Sequence, residues 1–163
     1  MGRTGLQKEY IMAGSEAYRA LLNKSMSLCA GREMCLSDMM KKLIDWGAGE
    51  KDAVKILRHL EKESFIDEKR YALAFTRDKF RYNKWGKVRI AHALKMKNVQ
   101  GSIIKESIGT IDEKTYNETL KSLINQHRKK IRAKNDYDLK GKLLRYGLSK
   151  GFESHLIYDL LNE

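Results

Sequence analysis

The feature that most constrains this chain is that it repeats itself. The segment "IDEKRY" at 66–71 returns as "IDEKTY" at 111–116. A second echo aligns three longer stretches, "LIDWGAGEKDAVKIL", "LKMKNVQGSIIKESI" and "YGLSKGFESHLIYDLL", on Gly47, Asn98 and Gly151. Those positions lie 51 and 53 residues apart. Each residue type suits the left-handed backbone that ends a helix. A recurrence near fifty residues points to a tandem array of small units, each with too little core to stand alone, so that neighbours stack.

Within the repeats, apolar residues recur at helical spacing. A first stripe holds Tyr18, Leu21, Leu22, Ser25, Leu28 and Cys29. Ser37 is placed to cap a second helix with Met39, Met40, Leu43 and Ile44 inward, ended by Gly47. A third carries Ala53, Ile56, Leu57 and Leu60. Asp67 caps a fourth, whose packing face is Tyr71, Phe75 and Tyr82. Gly86 separates a fifth with Val88, Ile90, Ala91 and Leu94, and a short sixth carries Ile103, Ile104 and Ile108. Thr110 and Glu113 are spaced as a capping box for a seventh, with Tyr116, Leu120, Leu123, Ile124, His127 and Ile131 in line. An eighth covers about 136–147, and Gly151 precedes a ninth with Leu156, Ile157, Leu160 and Leu161. Proline is absent, which agrees with long helices joined by short turns. The expected fold is all-α: three tandem three-helix repeats, about nine helices, forming an elongated, curved body. The expected boundaries are a flexible N-terminal arm at 1–14 and repeats at 15–64, 65–110 and 111–163.

Charge is uneven. The chain carries a net +12, and residues 65–110 hold 11 basic against 4 acidic side chains. Such a concentration attracts polyanions or an acidic protein face. On the fourth helix, at about 100° per residue, Arg70, Arg77, Arg81 and Lys84 fall within roughly 60° of one another, and the aromatic face centres roughly 120° away. Lys79 joins this segment, and the fifth helix adds Lys87, Arg89, Lys95 and Lys97. A further cluster, Arg128, Lys129, Lys130 and Arg132, closes the seventh helix, where cations also suit the dipole. Arg pairs bidentately with phosphate or carboxylate, so residue type alone leaves both partners open. Trp85 beside Gly86 reads as a wedge between two helices.

Several functions lack a signal. No apolar run is long enough for a membrane span, and the N-terminus has no continuous apolar segment of signal-peptide type, so a cytoplasmic protein is expected. Cys29 and Cys35 have no histidine partner at metal-ligand spacing. Phosphate-loop, nucleophile-elbow and metalloprotease motifs are missing. The acidic pairs at 67–68 and 112–113 sit at helix starts, where they cap amides. No catalytic residue, metal or cofactor is expected, and the protein is expected to act as a monomer.

Four segments together carry a family resemblance. "FIDEKRYALAF" at 65–75 is similar to a pattern of aliphatic residue, paired acids, then Arg-aromatic-Ala. "WGKVRI" at 85–90 is similar to a Gly-x-x-Arg-Ile motif, "GFESHLIYDLL" at 151–161 to a C-terminal repeat ending, and "LSDMMKKLIDWG" at 36–47 to a first-repeat helix. In this order and spacing they resemble the RecX family of bacterial RecA regulators, over about 15–163. Met40 departs from the usual helix-start Glu, and Asn98 and Ala48 replace the usual Gly and large apolar residue.

The resemblance implies a non-enzymatic protein that binds RecA, above all its filament on single-stranded DNA, and inhibits or modulates its ATPase, strand exchange and the recombination and SOS activities that follow. The basic residues named above would form the surface that meets RecA or its DNA. Asp67, Tyr71, Phe75, Trp85, Gly86, Ile90 and Gly151 would be the structural motif. Weak direct binding to single- or double-stranded DNA is a further expectation. The alternative is a helix-turn-helix DNA-binding protein acting without RecA. "LIDWGAGEKDAVKIL" could supply the helices, although Asp45, Glu50 and Asp52 nearly balance Lys51 and Lys55, whereas a recognition helix needs groups that meet phosphates and bases.

Overall fold

The computed structural model describes residues 5–162, with side chains from residue 15 onward. Among them the chain is nine α-helices and no strand: α1 Gly5–Gly31, α2 Leu36–Asp45, α3 Glu50–Lys62, α4 Glu68–Asn83, α5 Lys87–Met96, α6 Gly101–Ile108, α7 Glu113–Arg128, α8 Asp136–Lys150 and α9 Ser154–Asn162. The all-α class and the helix order agree with the periodicity. Helix α1 begins at Gly5, earlier than the apolar stripe indicates, so the proposed arm is helical from there. Residues 1–4 lie outside the described residues. In space the chain forms two compact units, 1–71 and 72–163. The division falls inside α4 rather than at a repeat boundary, and the second and third repeats share one unit.

In the first unit, Met34, Met39, Leu43, Ala53, Ile56, Leu60 and Ile66 form the core, with Tyr18, Leu21, Leu22 and Leu28 of α1 packed on it. Ile44 does not join them; it is 46% exposed. Ser37 is not the cap of α2. The N-cap is Cys35, without a side-chain cap bond, and the Ser37 hydroxyl lies 3.6 Å from Cys35 Sγ. The capping acceptor comes from distant sequence: Glu68 Oε1 accepts the Leu36 N–H at 2.9 Å. Burial pushes that carboxyl's pKa up, and the Leu36 amide opposes the shift.

The repeated turns have one physical basis. Gly47, Asn98 and Gly151 all take positive φ, at +88°, +60° and +89°. Each reverses the chain after its helix, the left-handed ending expected of Gly and Asn. Ser64 and Lys84 take the same conformation, at +59° and +55°, where sequence offers no glycine as a marker. At both, the chain bonds six positions back, Ile66 N–H to the Leu60 carbonyl and Trp85 N–H to the Lys79 carbonyl, at 3.1 Å each, one residue longer than the 6→1 pairing that Ala48, Val99 and Phe152 make with Leu43, Leu94 and Gly147 at the three Gly and Asn turns.

In the second unit, Ile90, Leu94, Ile104, Tyr116, Leu120, Ile124, Leu143, Phe152 and Ile157 are buried. Asp112, not Thr110, caps α7, accepting the Thr115 N–H at 2.8 Å. The Thr110 hydroxyl donates instead to the Ser107 carbonyl at 2.6 Å. Helix α7 stops at Arg128, so Ile131 lies beyond it, and α8 continues to Lys150.

Candidate functional site

The central segment of the second repeat is first of all a lock within the second unit. Helix α4 ends, Lys84 turns left-handed, and Gly86 meets the backbone of Gly151. The Gly86 N–H donates to the Lys150 carbonyl at 2.8 Å, and the Val88 N–H donates to the Gly151 carbonyl at 3.0 Å. A Cβ on Gly86 would sit 2.1 Å from the Gly151 carbonyl oxygen, and one on Gly151 would sit 2.2 Å from Arg89 Cβ. Only two glycines allow this approach. Beside it the buried Tyr116 hydroxyl accepts the Lys87 N–H at 2.9 Å and donates to Glu153 Oε2 at 2.6 Å. Its ring lies between Phe80 and Phe152, at centroid distances of 5.8 and 4.9 Å. Burial raises the Tyr116 hydroxyl's pKa well above the ordinary tyrosine range, and the Glu153 carboxylate adds to the shift.

Four of the expected contact cations are engaged by other parts of the chain, Lys79 and Lys87 half-buried and Arg70 and Arg89 still exposed. Arg70, in the first unit, bonds Glu33 Oε1 at 2.5 Å and reaches the carbonyls of Ser64 and Phe65 at 3.2 and 3.4 Å. Lys79 lies over the rings of Phe75 and Trp85, at 5.4 and 4.9 Å. Arg89 covers Trp85 at 4.1 Å and donates to the Ser149 carbonyl at 3.1 Å. Lys87 pairs with Glu113 and lies 4.6 Å over the Tyr116 ring. Trp85 also meets Phe75 edge-on at 6.5 Å. It is therefore a half-buried wedge capped by two cations, the role its position beside a glycine suggests. On the aromatic face of α4, Tyr71 is buried and Phe75 half-buried, but Tyr82 is 71% exposed. Its placement on the packing face is corrected: at the end of α4 the ring stands in solvent, beside the Arg81 guanidinium.

The other expected residues stand at the surface. Arg77 is exposed and pairs with the adjacent Asp78 at 3.2 Å, an exposed ion pair worth little. Arg81 lies over Tyr82 at 5.5 Å. Lys84 lines a shallow groove along α7 together with Thr115, Glu118, Thr119, Ser122, Leu123 and Gln126. Lys95 is exposed, while Lys97 is half-buried with a partner of its own. Arg128, Lys129, Lys130 and Arg132 are exposed, but only Arg128 belongs to α7. The dipole therefore explains one of the four, and the rest lie in the α7–α8 connection. His127 stacks flat on Tyr146, centroids 3.8 Å apart and planes at 6°.

Charge totals hid one stripe. Lys51, Lys55, Arg58 and Lys62 of α3 are all exposed. They fall within roughly 60° of one another at about 100° per residue, while the acids of α3 lie on its flanks. A helical projection of the charges, instead of their sum, reveals it. Surfaces of this kind neutralise phosphates in a salt-sensitive manner or dock on acidic protein. Among the described residues no three His, Cys, Asp or Glu side chains are grouped to hold a metal ion, and no helix is long and apolar enough to cross a membrane.

These features define a class: a basic, all-α protein assembled from three-helix units. The family follows from comparison with known proteins. Residues 67–108 match the model of the RecX second three-helix domain, and residues 115–161 match that of the RecX third three-helix domain. The chain belongs to the RecX family. It is 30% identical over 119 residues to "Regulatory protein RecX" of Clostridium botulinum strain Eklund 17B, covering 72% of this chain and 55% of that protein. It is 31% identical over 127 residues to the namesake in Clostridium acetobutylicum, covering 75% and 58%. The chain thus spans little more than half the length of these curated relatives. A crystal structure of regulatory protein RecX superposes with a TM-score of 0.87 at 19% identity, over 99% of this chain and 80% of that one. RecX from Lactobacillus salivarius superposes at 0.77 and 17%, over 91% and 96%. At these identities the superpositions speak for the fold.

Proposed function

We propose that this chain regulates RecA by binding its filament on single-stranded DNA, lowering ATP turnover and strand exchange without chemistry of its own. Membership of a family of regulatory proteins carries the reading. The exposed cations Arg77, Arg81 and Lys84 on α4, with Lys95 and the Arg128–Arg132 cluster, are the contact groups that remain once the internally held ones are set aside. The test mixes purified protein with RecA on single-stranded DNA and follows ATP hydrolysis and filament length. No change at a several-fold excess over RecA would sink the idea. Charge reversal at Arg77, Arg81 and Lys84 should weaken inhibition while the far-ultraviolet spectrum stays unchanged. Undiminished inhibition by the folded triple variant would remove α4 from the contact surface.

A second reading is favoured by the α3 stripe. Four exposed cations in one sector of the last helix of a three-helix unit suit direct contact with duplex phosphates. Tight duplex binding without RecA, lost on reversing Lys55 and Arg58, would support it.

A further inference from the structure

Helix α8 carries two apolar faces, and the fold uses one of them. On the inner face Leu143 is fully buried, Gly147 is packed under Ile157 of α9, and Tyr146 is stacked on His127 of α7. A second stripe, Tyr137, Gly141, Leu144 and Leu148, recurs at steps of four, three and four. At about 100° per residue it fills a sector of roughly 60°, centred roughly 140° from the inner face. Tyr137 is 89% exposed and Leu148 46%, and Leu144 is half-buried. Gly141 is the informative member, since glycine inside a helix is less stable than alanine there. The fold accounts for Gly147, where a Cβ would sit 2.6 Å from Ile157 Cδ1. It does not account for Gly141: beyond the helix's own backbone, only Arg145 Nη1 comes within 4 Å of its Cβ position, at an ordinary 3.7 Å. The glycine leaves a notch between Tyr137 and Leu144 that no described residue fills. The notch opens on a cleft of about 750 Å³ bordered by Tyr158 and Leu161 of α9.

Spacing and charge specify the occupant. Steps of four and three are the repeat of a seam between two helices. A glycine in that seam lets a second backbone approach closely, where packed helix axes usually stand ~8–10 Å apart. In the same projection Lys140 and Arg145 stand on either side of the stripe, and both are exposed. Lys140 has only long contacts, 3.4 Å to Asn162 Oδ1 and 3.9 Å to Asp136 Oδ2. Asp138, the one acid lining the cleft among the described residues, is held by Lys142 Nζ at 2.9 Å. Charges flanking a helix seam set the choice of partner, and cations on both flanks select carboxylates. A second copy of this chain, with its net +12, would bring like charge instead. A nucleic-acid strand would meet the cations but has no row of apolar side chains to seat on Leu144 and Leu148.

We propose that this face of α8 docks an acidic amphipathic helix of another protein, its apolar stripe seated along Tyr137, Gly141, Leu144 and Leu148 and its flanking carboxylates meeting Lys140 and Arg145. The face belongs to a different helix from the α4 cations and its test contains no RecA, so this proposal and the RecA reading can fail separately. The experiment uses the whole chain and a fluorescent, hydrocarbon-stapled helix of about five turns, with Leu along the stripe and Glu on its flanks. Two control helices are compared: one with the same residues scrambled so that the Leu side chains no longer share a face, and one with Lys in place of Glu. Anisotropy should show the acidic amphipathic helix bound at least about tenfold more tightly than either control. Gly141→Leu fills the notch. It should weaken that binding at least about tenfold while thermal unfolding stays in place or moves upward, since leucine suits a helix interior better than glycine. Charge reversal, K140E/R145E, should transfer the preference to the Lys helix. Equal binding of the scrambled helix would overturn the proposal, leaving only charge. So would wild-type affinity in Gly141→Leu, no measurable binding of the acidic helix, or a Gly141→Leu chain less stable than wild type, which would mean that the fold itself needs the glycine. A wild-type dimer that Gly141→Leu abolishes would give the face to a second copy and overturn it as well.

Discussion

Gly86→Ala tests the lock between the second and third repeats most directly. The added Cβ would lie 2.1 Å from the Gly151 carbonyl oxygen, 2.3 Å from its carbon and 2.4 Å from Phe152 N. All three neighbours are backbone atoms, so no rotamer change relieves the clash. Ordinary contact begins near 3.4 Å, and the two turns must part by about 1.3 Å. The Gly86–Lys150 hydrogen bond, now 2.8 Å, would then exceed bonding distance, and the Val88–Gly151 bond would stretch with it. Two bonds at ~1 kcal/mol each, together with the strain of overpacking at ~1–3 kcal/mol, amount to roughly 3–5 kcal/mol. Since ~1.4 kcal/mol is a factor of ten, the folded fraction relative to unfolded should drop by roughly two to four orders of magnitude. Urea unfolding followed by circular dichroism measures the loss. Hydrogen exchange at the Gly86 and Val88 amides localises it. Gly101→Ala is the control: nothing lies within 4 Å of its Cβ position, and the residue opens a helix, so stability should hold or rise by up to ~1 kcal/mol. A Gly86→Ala protein within about 1 kcal/mol of wild type, with both amides still protected, would refute the close approach.

Other perturbations probe neighbouring parts. Tyr116→Phe keeps the packed ring but orphans the Lys87 N–H and the Glu153 carboxylate. It should cost ~2–4 kcal/mol in a denaturation curve; a loss under ~0.5 kcal/mol would mean water replaces the hydroxyl. Alkaline pH gives a signed test. Burial raises the pKa of Tyr71 and Tyr116 in the folded chain, so the folded state retains protons that the unfolded state releases near the ordinary value of about 10. Stability should therefore hold below that pH and fall above it, and Tyr116→Phe should flatten the decline. Acid acts in the opposite sense. The Thr115 amide and hydroxyl hold the Asp112 carboxyl below its ordinary range, and the Lys134 amide followed by Lys142 does so for Asp138. Their contribution is present above the ordinary carboxylate value and is lost as pH falls through the lower folded values. Exchange in the first turns of α7 and α8 should rise there, and Asp112→Asn should remove the α7 part. Lys84→Gly should stabilise by ~1 kcal/mol, because a side chain at φ +55° carries a steric cost that glycine lacks. Destabilisation in a urea titration would contradict that backbone assignment.

The parts of this protein that were legible in its sequence are those governed by local rules. Helical period marks nine helices because burial of one face repeats every three to four residues, and Gly47, Asn98 and Gly151 mark three left-handed turns because few residue types tolerate them. What stayed illegible depends on residues far apart in the chain. Glu68 caps α2 across 32 positions, so the nearby Ser37 looked sufficient. Lys87, Arg89 and Arg70 read as open cations because their partners Tyr116, Ser149 and Glu33 lie 29, 60 and 37 positions away. Basic residues beside aromatic residues in sequence suggest a partner surface, yet the lock between repeats uses that same pairing internally, as cation over ring. The α3 cations, diluted by acids on the helix flanks, were undercounted for the converse reason: summing along sequence mixes faces that the helix separates by about 100° per step. In a repeat protein each unit must spend part of its surface on its neighbours. A basic residue next to Trp85 or Tyr116 is thus as readily stacking hardware as binding hardware. Arg77 and Arg81 differ from these in that their contacts, with Asp78 and Tyr82, stay on their own helix.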